Sequence, residues 1–340
     1  MMFFYLFIQS LVYFNSIFYM LNLYRQKWWD NMQKVLIIVG PTAVGKTSLS
    51  IKLAKKLNGE VISGDSMQVY KHLDIGTAKV TKEESEGIVH HLIDIIDVDK
   101  RYSAADFVES TNKLIDDIDK RGKLPIIVGG TGFYIQSLVD GLNLGGDHYD
   151  NEEYRNQMHE FAEENGKHAL WLKLKSVDEV SAKKIGEENE RRIIRALEVY
   201  HNTGVKFSEQ TNNSVSIDPY IIALNTDRKV LYDRINKRVD IMFNNGLIDE
   251  AKWLDRKGDI SLPAYKGIGY REFINYFHGD LELEDVSELI KKDSRHYAKR
   301  QLTWFRNKMK VNWYDIISNM EVVKNIEKDV FNWLNDKKVP

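Results

Sequence analysis

The residues Gly40-Pro41-Thr42-Ala43-Val44-Gly45-Lys46-Thr47 form an unbroken GxxxxGK[ST] pattern. These are the residue types that hold phosphate. Glycines let the backbone curl until successive N–H groups converge on anionic oxygens, and a helix opening at Lys46 adds the positive end of its dipole. Lys46 brings a full charge to a terminal phosphate, and the Thr47 hydroxyl can reach a bound Mg²⁺. A short pattern can arise by chance, but this one stands between a buried strand and a helix, the context that phosphate binding requires. It indicates phosphate without saying which phosphate.

Two further segments carry candidate chemistry. Ser63-Gly64-Asp65-Ser66-Met67-Gln68 follows a second strand, and Val128-Gly129-Gly130-Thr131-Gly132 ends another. In an open α/β sheet the carboxyl ends of strands border the ligand crevice, so Asp65 and Thr131 are expected beside the phosphate loop. Asp65 could accept a proton from an attacking amine or hydroxyl, or serve a metal. As a turn or N-cap residue it would do neither. Paired glycines allow close backbone approach, and Thr131 offers a hydroxyl at the same edge. A P-loop ATPase often ends such a strand in a Mg²⁺-binding Asp; here the strand ends in Gly-Gly-Thr. Asp94 and Asp97 could substitute, although both read better as turn residues.

A third feature is charge. Lys291 to Lys310 contains eight Lys or Arg against one acidic residue, with His296, Tyr297, Trp304 and Phe305 interleaved. Cations meet phosphates and aromatic rings stack on unpaired bases. Alone, such a run reads better as a solvated helix face whose aromatics pack into the core. Lys183, Lys184, Arg191, Arg192 and Arg195 in a second segment favour an RNA-binding surface. A base reached by a buried phosphate site must leave its stack.

The elements that position these groups follow from hydrophobic period. Val35–Val39 is a continuous apolar run, as in a strand buried on both faces, and Lys46–Leu57 has helical spacing. Glu60–Ser63, His90–Ile96, Leu124–Val128 and Tyr220–Leu224 read as further strands. Ser103 and Asp106 suggest a capping box. Ala169–Leu174 fits strand or helix. The expected fold is α/β: a P-loop NTPase-like, mostly parallel sheet with helices on both faces, an inserted small helical domain and a helical C-terminal region. The domain boundaries are set at 1–31, 32–146, 147–216 and 217–340.

Composition excludes several classes. The 340-residue chain has no cysteine, so disulfides, thiolate metal sites and cysteine nucleophiles are absent. Nine histidines show no zinc-binding spacing. The net charge of −2 averages over the basic segments and does not itself suggest RNA. Met1 to Tyr24 is uncharged and aromatic, but Gln9, Ser10, Asn15, Ser16 and Asn22 interrupt it and no basic region precedes it. It reads as a dispensable extension, with the globular pattern starting at Met32, and the protein as cytoplasmic.

In order and spacing, GPTAVGKT, GDSMQVY, DIGTAK (74–79), YSAADF (102–107), VGGTGFY, RIIRALE (192–198), DRINKR (233–238), GIGYR (267–271) and KRQLTWFR (299–306) resemble the tRNA dimethylallyltransferase family, also called tRNA isopentenyltransferases. The resemblance runs from about Lys34 to about Lys308. It implies transfer of a dimethylallyl group from its diphosphate to the exocyclic N6 amine of the adenosine just 3′ of the anticodon. The P-loop would hold the diphosphate with Lys46 and a Thr47-bound Mg²⁺; Asp65 would act as base, and Thr131 would sit where the substrates meet. Arg234 or Arg238 would add charge to the diphosphate. Asp65, Ser66, Met67, Gln68, Thr131, Arg155, Arg191, Arg192, Ile193, Ile194 and Arg195 would contact tRNA. So would Lys266, Gly267, Ile268, Gly269, Tyr270, Arg271, Lys299, Arg300, Gln301, Leu302, Thr303, Trp304, Phe305 and Arg306. Its partners would be the tRNA anticodon stem-loop and dimethylallyl diphosphate, with no stable protein partner and a monomeric chain. A small-molecule P-loop kinase, an adenylate isopentenyltransferase and a nucleotide-gated RNA-binding protein are the other readings of the same motifs.

Overall fold

The structure, a computed structural model, describes residues 32–144, 151–258 and 261–336. The segment 1–31 and the boundary at 146/147 lie outside the described residues. The chain begins with β1 (Gln33–Val39), α1 (Lys46–Leu57), β2 (Gly59–Ser63) and a short β3 (His90–His91). Then come α2 (Ala104–Lys120), β4 (Leu124–Gly129) and α3 (Gly132–Val139). Four helices follow: α4 (Glu152–Asn165), α5 (Lys167–Val177), α6 (Glu179–Ile185) and α7 (Glu190–Thr203). The sheet resumes with β5 (Ile217–Leu224), then α8 (Arg228–Asn244), α9 (Leu247–Asp255) and α10 (Ile274–Phe277). The last elements are the 26-residue α11 (Leu283–Lys308), β6 (Asn312–Tyr314) and α12 (Val322–Asn335).

All six strands are parallel, in the order β3-β2-β4-β1-β5-β6. The unbroken Val35–Val39 run is explained by its place: β1 lies between β4 and β5, with Ile37 level with both Ile127 and Ile221. Leu36 and Ile38 join Leu49, Leu53, Ile126 and Ile222 in one core. Because the strands are parallel, the segments after β1, β2 and β4 all emerge at the same edge of the sheet.

The strand expected over His90–Ile96 stops after His91. Leu92 and Asp94 take left-handed backbone conformations (φ 59° and 56°), which a strand cannot absorb. Asp94 accepts from Lys79 and Asp97 pairs with Lys71 at 3.2 Å, so both act as structural turn residues. Ala169–Leu174 is helical, within α5. Ser103 and Asp106 do form a reciprocal cap, Asp106 N–H to Ser103 Oγ at 3.1 Å and Ser103 N–H to Asp106 Oδ2 at 2.7 Å.

Two compact units share the chain. Among the described residues, the sheet unit comprises 32–101, 111–132, 216–258 and 261–336; the helical unit comprises 102–110, 133–144 and 151–215, so it takes in residues before 147. The helical unit has its own core of Leu170, Leu174, Ile193, Ile194 and Leu197. Its helices α4, α6 and α7 each start on an Asn or Asp whose side chain accepts a first-turn N–H: Asn151, Asp178 and Asn189. The fully buried Glu198 accepts from Asn151 N–H at 2.9 Å and Arg195 Nη1 at 2.7 Å, with Arg155 at 3.6 Å.

In the sheet unit, Glu60 on β2 is only 2% exposed yet meets three basic groups. It receives a forked hydrogen bond from Arg121, one from Lys123 at 2.7 Å, and contacts His91 Nε2 at 2.8 Å. The Arg121 guanidinium above all, then Lys123 and His91, holds its carboxyl well below the usual carboxylate range against the opposing effect of burial. A depressed folded pKa gives stability that is complete above the unfolded value of about 4.3 and is lost as pH falls toward the folded one. Glu60→Gln is therefore expected to lower stability by about 1–3 kcal/mol at pH 7, as for a lost charged hydrogen bond. Urea midpoints of variant and wild type should approach each other as pH falls below about 4; a constant gap would assign the loss to packing instead.

Candidate active site

The phosphate loop leaves β1 at Gly40 and closes at Gly45, the N-cap of α1 (φ 96°). A side chain at Gly40 would sit 2.7 Å from the Leu224 carbonyl of β5, so the loop's first residue must be glycine for space as well as conformation. Ala43 adopts φ 64°, a strained value for a residue with a Cβ, and its carbonyl accepts from Arg234 Nε at 2.9 Å. Lys46 folds back over the loop and donates to the Gly40 and Pro41 carbonyls at 3.0 and 2.7 Å. Burial and the nearby Arg238 guanidinium lower the Lys46 pKa to about 7, with Asp65 opposing. Burial likewise lowers that of Arg238, opposed by Asp65 and Glu84.

The segments after β2 and β4 are laced together. Gly64 N–H donates to Val128 O at 2.8 Å and Thr131 N–H to Gly64 O at 3.3 Å. A Cβ on Gly129 would lie 2.1 Å from the Gly64 oxygen, so the two backbones approach as closely as they do only because position 129 has no side chain. The Thr131 hydroxyl accepts from Ser66 N–H at 3.0 Å and donates to Ser66 Oγ at 3.3 Å. Asp65 Oδ1 accepts from Met67 N–H at 2.8 Å, which fixes the carboxylate's direction. The expected turn role is thus present, in a residue that also lines a cavity with Lys46 and Arg238.

Lys46, Thr47, Arg238 and Asp65 line a single cavity of about 330 Å³. Beside the cations and the carboxylate, Val61, Ile235, Val239, Met242 and Ile290 give it an apolar wall. Arg238 faces this cavity; Arg234 does not, and instead lines a second depression bordered by P-loop residues 43–48, including Lys46 and Thr47, and by Arg238. Thr131 stands behind the cavity lining, joined to it through Ser66. Tyr297 of α11 also lines the cavity; burial and the Asp65 charge push its phenol up to about 12, against contributions from Thr131 and Gln301.

One wall is held by a contact that no local pattern foretells. The Glu250 carboxylate on α9 accepts from three consecutive N–H groups, those of Asp74, Ile75 and Gly76, at 2.8–3.1 Å. Tyr270 donates its hydroxyl to the same group at 2.7 Å. A run of convergent N–H groups is an anion nest, here filled by the protein's own carboxylate. Gly76, Thr77 and Ala78, which border the cavity, are fixed as a result. Gln68, another lining residue, bonds Ser63 Oγ at 2.9 Å and the Thr77 carbonyl at 3.3 Å.

The structure sorts the residues expected to touch RNA. Ser66, Met67, Gln68, Lys266, Gly267, Ile268, Gly269, Arg271, Arg300 and Gln301 border the cavity. On α11, Lys292, His296, Lys299, Arg300, Thr303 and Arg306 share one exposed face. Arg300 lies over the Tyr297 ring at 5.6 Å and Arg306 over Trp313 at 5.6 Å. Arg191 and Arg192 are exposed on α7 of the helical unit. Other side chains turn inward: Ile193, Ile194, Tyr270 and Phe305 are buried, and Arg155 and Arg195 engage Glu198. Leu302 and Trp304 are half-buried. Among the described residues, no helix is long and apolar enough to cross a membrane, and no cluster of three or more His, Cys, Asp or Glu could hold a metal.

Residues 68–308 match the family described as IPP transferase. The tRNA dimethylallyltransferase of Ligilactobacillus salivarius is 55% identical over 305 residues, 89% of this chain and 99% of that protein. The structure of the full-length tRNA isopentenylpyrophosphate transferase from Bacillus halodurans is 46% identical with a TM-score of 0.68, covering 90% of this chain and 98% of that one. A eukaryotic dimethylallyltransferase acting on tRNA superimposes with a TM-score of 0.77 at 30% identity, covering 91% of this chain and 82% of that one. On the family match and these relatives, the chain belongs to the IPP transferase family, that of the tRNA dimethylallyltransferases.

Proposed function

We infer that this protein transfers a dimethylallyl group from dimethylallyl diphosphate to the N6 amine of the adenosine just 3′ of the tRNA anticodon, releasing diphosphate. One observation carries the mechanism: the Lys46 and Arg238 cations, the Asp65 carboxylate and an apolar wall border the same cavity. That is the set of groups a prenyl diphosphate and an attacking amine require together. The relatives favour this reading over a small-molecule kinase, an adenylate isopentenyltransferase or a non-enzymatic RNA-binding protein.

In this reading the amine nitrogen bonds to the allylic carbon as the carbon–oxygen bond breaks. The bonding pair leaves on the diphosphate, and the nitrogen's proton passes to Asp65. Lys46, Arg238 and P-loop N–H groups other than that of Thr42, which Gln301 engages, offset charge growing on the leaving group, the main electrostatic task of such a step. Between the two arginines, Arg238 is favoured for this role because it borders both the cavity with Asp65 and the depression along the P-loop, while Arg234 borders only the latter and braces Ala43. Thr47, exposed in the first turn of α1, fits a Mg²⁺ that takes most of its ligands from diphosphate and water rather than a carboxylate cage. Bound there, the ion would neutralise diphosphate charge. Thr131 holds the Asp65–Ser66 turn where the amine arrives, and the exposed cations of α11 with Arg191 and Arg192 meet RNA phosphates. The reading includes a monomer acting in the cytoplasm, the compartment that a tRNA substrate supports.

Labelled dimethylallyl diphosphate incubated with unmodified tRNA, followed by nucleoside analysis, should yield a prenylated adenosine. In the same assay Asp65→Ala should lose about two to four orders of magnitude in turnover, the range of a general base, while binding the anticodon stem-loop normally. A near-normal rate would remove Asp65 from proton transfer.

Lys46 gives a pH signature. With its pKa lowered to about 7, it is largely neutral at pH 8 and must gain a proton when a diphosphate raises its pKa again. Calorimetry of diphosphate binding in buffers of differing ionisation enthalpy should show proton uptake near pH 8 and almost none at pH 6. Affinity should fall up to about tenfold per pH unit above 7. In Lys46→Ala the uptake should vanish.

The α11 face has an ionic signature. Lys299→Ala with Arg300→Ala should weaken stem-loop binding and reduce the slope of log affinity against log salt by about one unit or less per cation removed. Parallel slopes for variant and wild type would take this face out of the RNA interface.

A further inference from the structure

Gln301 lies within the basic helix α11, among residues expected to touch RNA, yet it is 5% exposed. Both ends of its amide are engaged by backbone. Oε1 accepts from the Thr42 N–H of the P-loop at 3.0 Å, and Nε2 donates to the Gly130 carbonyl just past β4, also at 3.0 Å. The partners fix the amide's orientation, since the opposite flip would set N–H against N–H and oxygen against oxygen. Thr42 and Gly130 belong to different loops, one holding phosphate and the other leading into Thr131. Among the described residues, no backbone hydrogen bond joins these two directly.

We propose that Gln301 is the positioning residue that sets the phosphate loop relative to the Gly129–Thr131 loop, so that leaving group and attacking amine are held at reacting distance. This deepens the prenyl-transfer reading and rests on it. Chemistry between two separately bound substrates is sensitive to their relative placement, and a misplacement of about 1 Å can cost about a hundredfold in rate. An amide that hydrogen-bonds both loops resists such drift. Gly130 supplies independent support. A Cβ there would lie 2.1 Å from Gln301 Nε2, whereas the next atoms are 3.2 Å or more away, so the residue is glycine to admit this one amide. Gly130 is not among the glycines with positive φ, so alanine is excluded by the amide and not by backbone conformation.

A double-mutant cycle on the full chain tests the clamp. Gln301→Ala should leave stem-loop affinity within about twofold while lowering kcat about ten- to a hundredfold and weakening pyrophosphate binding by calorimetry. Gly130→Ala in the wild-type background should reproduce both losses by displacing the amide. Added to Gln301→Ala, which has already vacated the space, it should cost little more, so the two effects should be strongly non-additive. Gln301→Glu keeps an acceptor for Thr42 N–H and supplies the same readouts if the alanine variant does not fold. Additive effects would overturn the proposal, as would a Gln301→Ala variant altered only in its Michaelis constant for tRNA. Should wild-type protein bind pyrophosphate but transfer no prenyl group, the functional reading fails instead, while the pyrophosphate cycle still reports on the clamp.

Discussion

The site depends on two backbones passing closer than any side chain would permit. Where Gly129 runs beside Gly64, the carboxyl ends of β2 and β4 are drawn together, and Asp65, Ser66 and Thr131 come into reach of one another. Neighbouring strands of a parallel sheet naturally deliver their loops to one edge, but the pleat alone leaves them a strand spacing apart. The missing Cβ removes that gap. The phosphate loop, from the adjacent strand β1, completes the arrangement from the other side of β4.

Electrostatics then divide the cavity. Lys46 and Arg238 oppose each other, and burial lowers the pKa of both, so the cation pair is held at a cost that a polyanion would relieve. Asp65 favours the charged form of each. The carboxylate is therefore part of the charge balance of the cavity, besides its proposed role as acceptor for the amine's proton. Such opposition of buried groups is common where catalysis needs charge placed ahead of the substrate.

Much of this was legible in the amino-acid sequence, because the relevant signals are local. The continuous apolar run of Val35–Val39 announced a central strand, the glycine spacing announced the phosphate loop, and α1 spans Lys46–Leu57 as its period implies. What could not be read is long-range. Glu250 reaches Asp74–Gly76 across 174 to 176 residues, and Gln301 reaches Thr42 across 259; neither partner carries a mark of the other. The His90–Ile96 strand failed for a conformational reason, since hydrophobic pattern does not reveal that Leu92 and Asp94 turn left-handed. Similarly, Ile193, Ile194 and Phe305 sit inside motifs that look functional as strings, but their side chains build the cores that hold the charged neighbours in place.

The way Lys46 is held has a consequence for selectivity. Its ammonium already makes two good hydrogen bonds to the Gly40 and Pro41 carbonyls, so an arriving anion exchanges bonds and does not simply gain them. Exchange of this kind yields only about 0.5–1.5 kcal/mol per bond. A small, singly bridging anion such as inorganic phosphate recovers little from it. An anion long enough to meet the loop N–H groups, Lys46 and Arg238 at once recovers much more. On the proposed function, competition from the loop's own backbone would therefore disfavour monophosphates relative to a diphosphate.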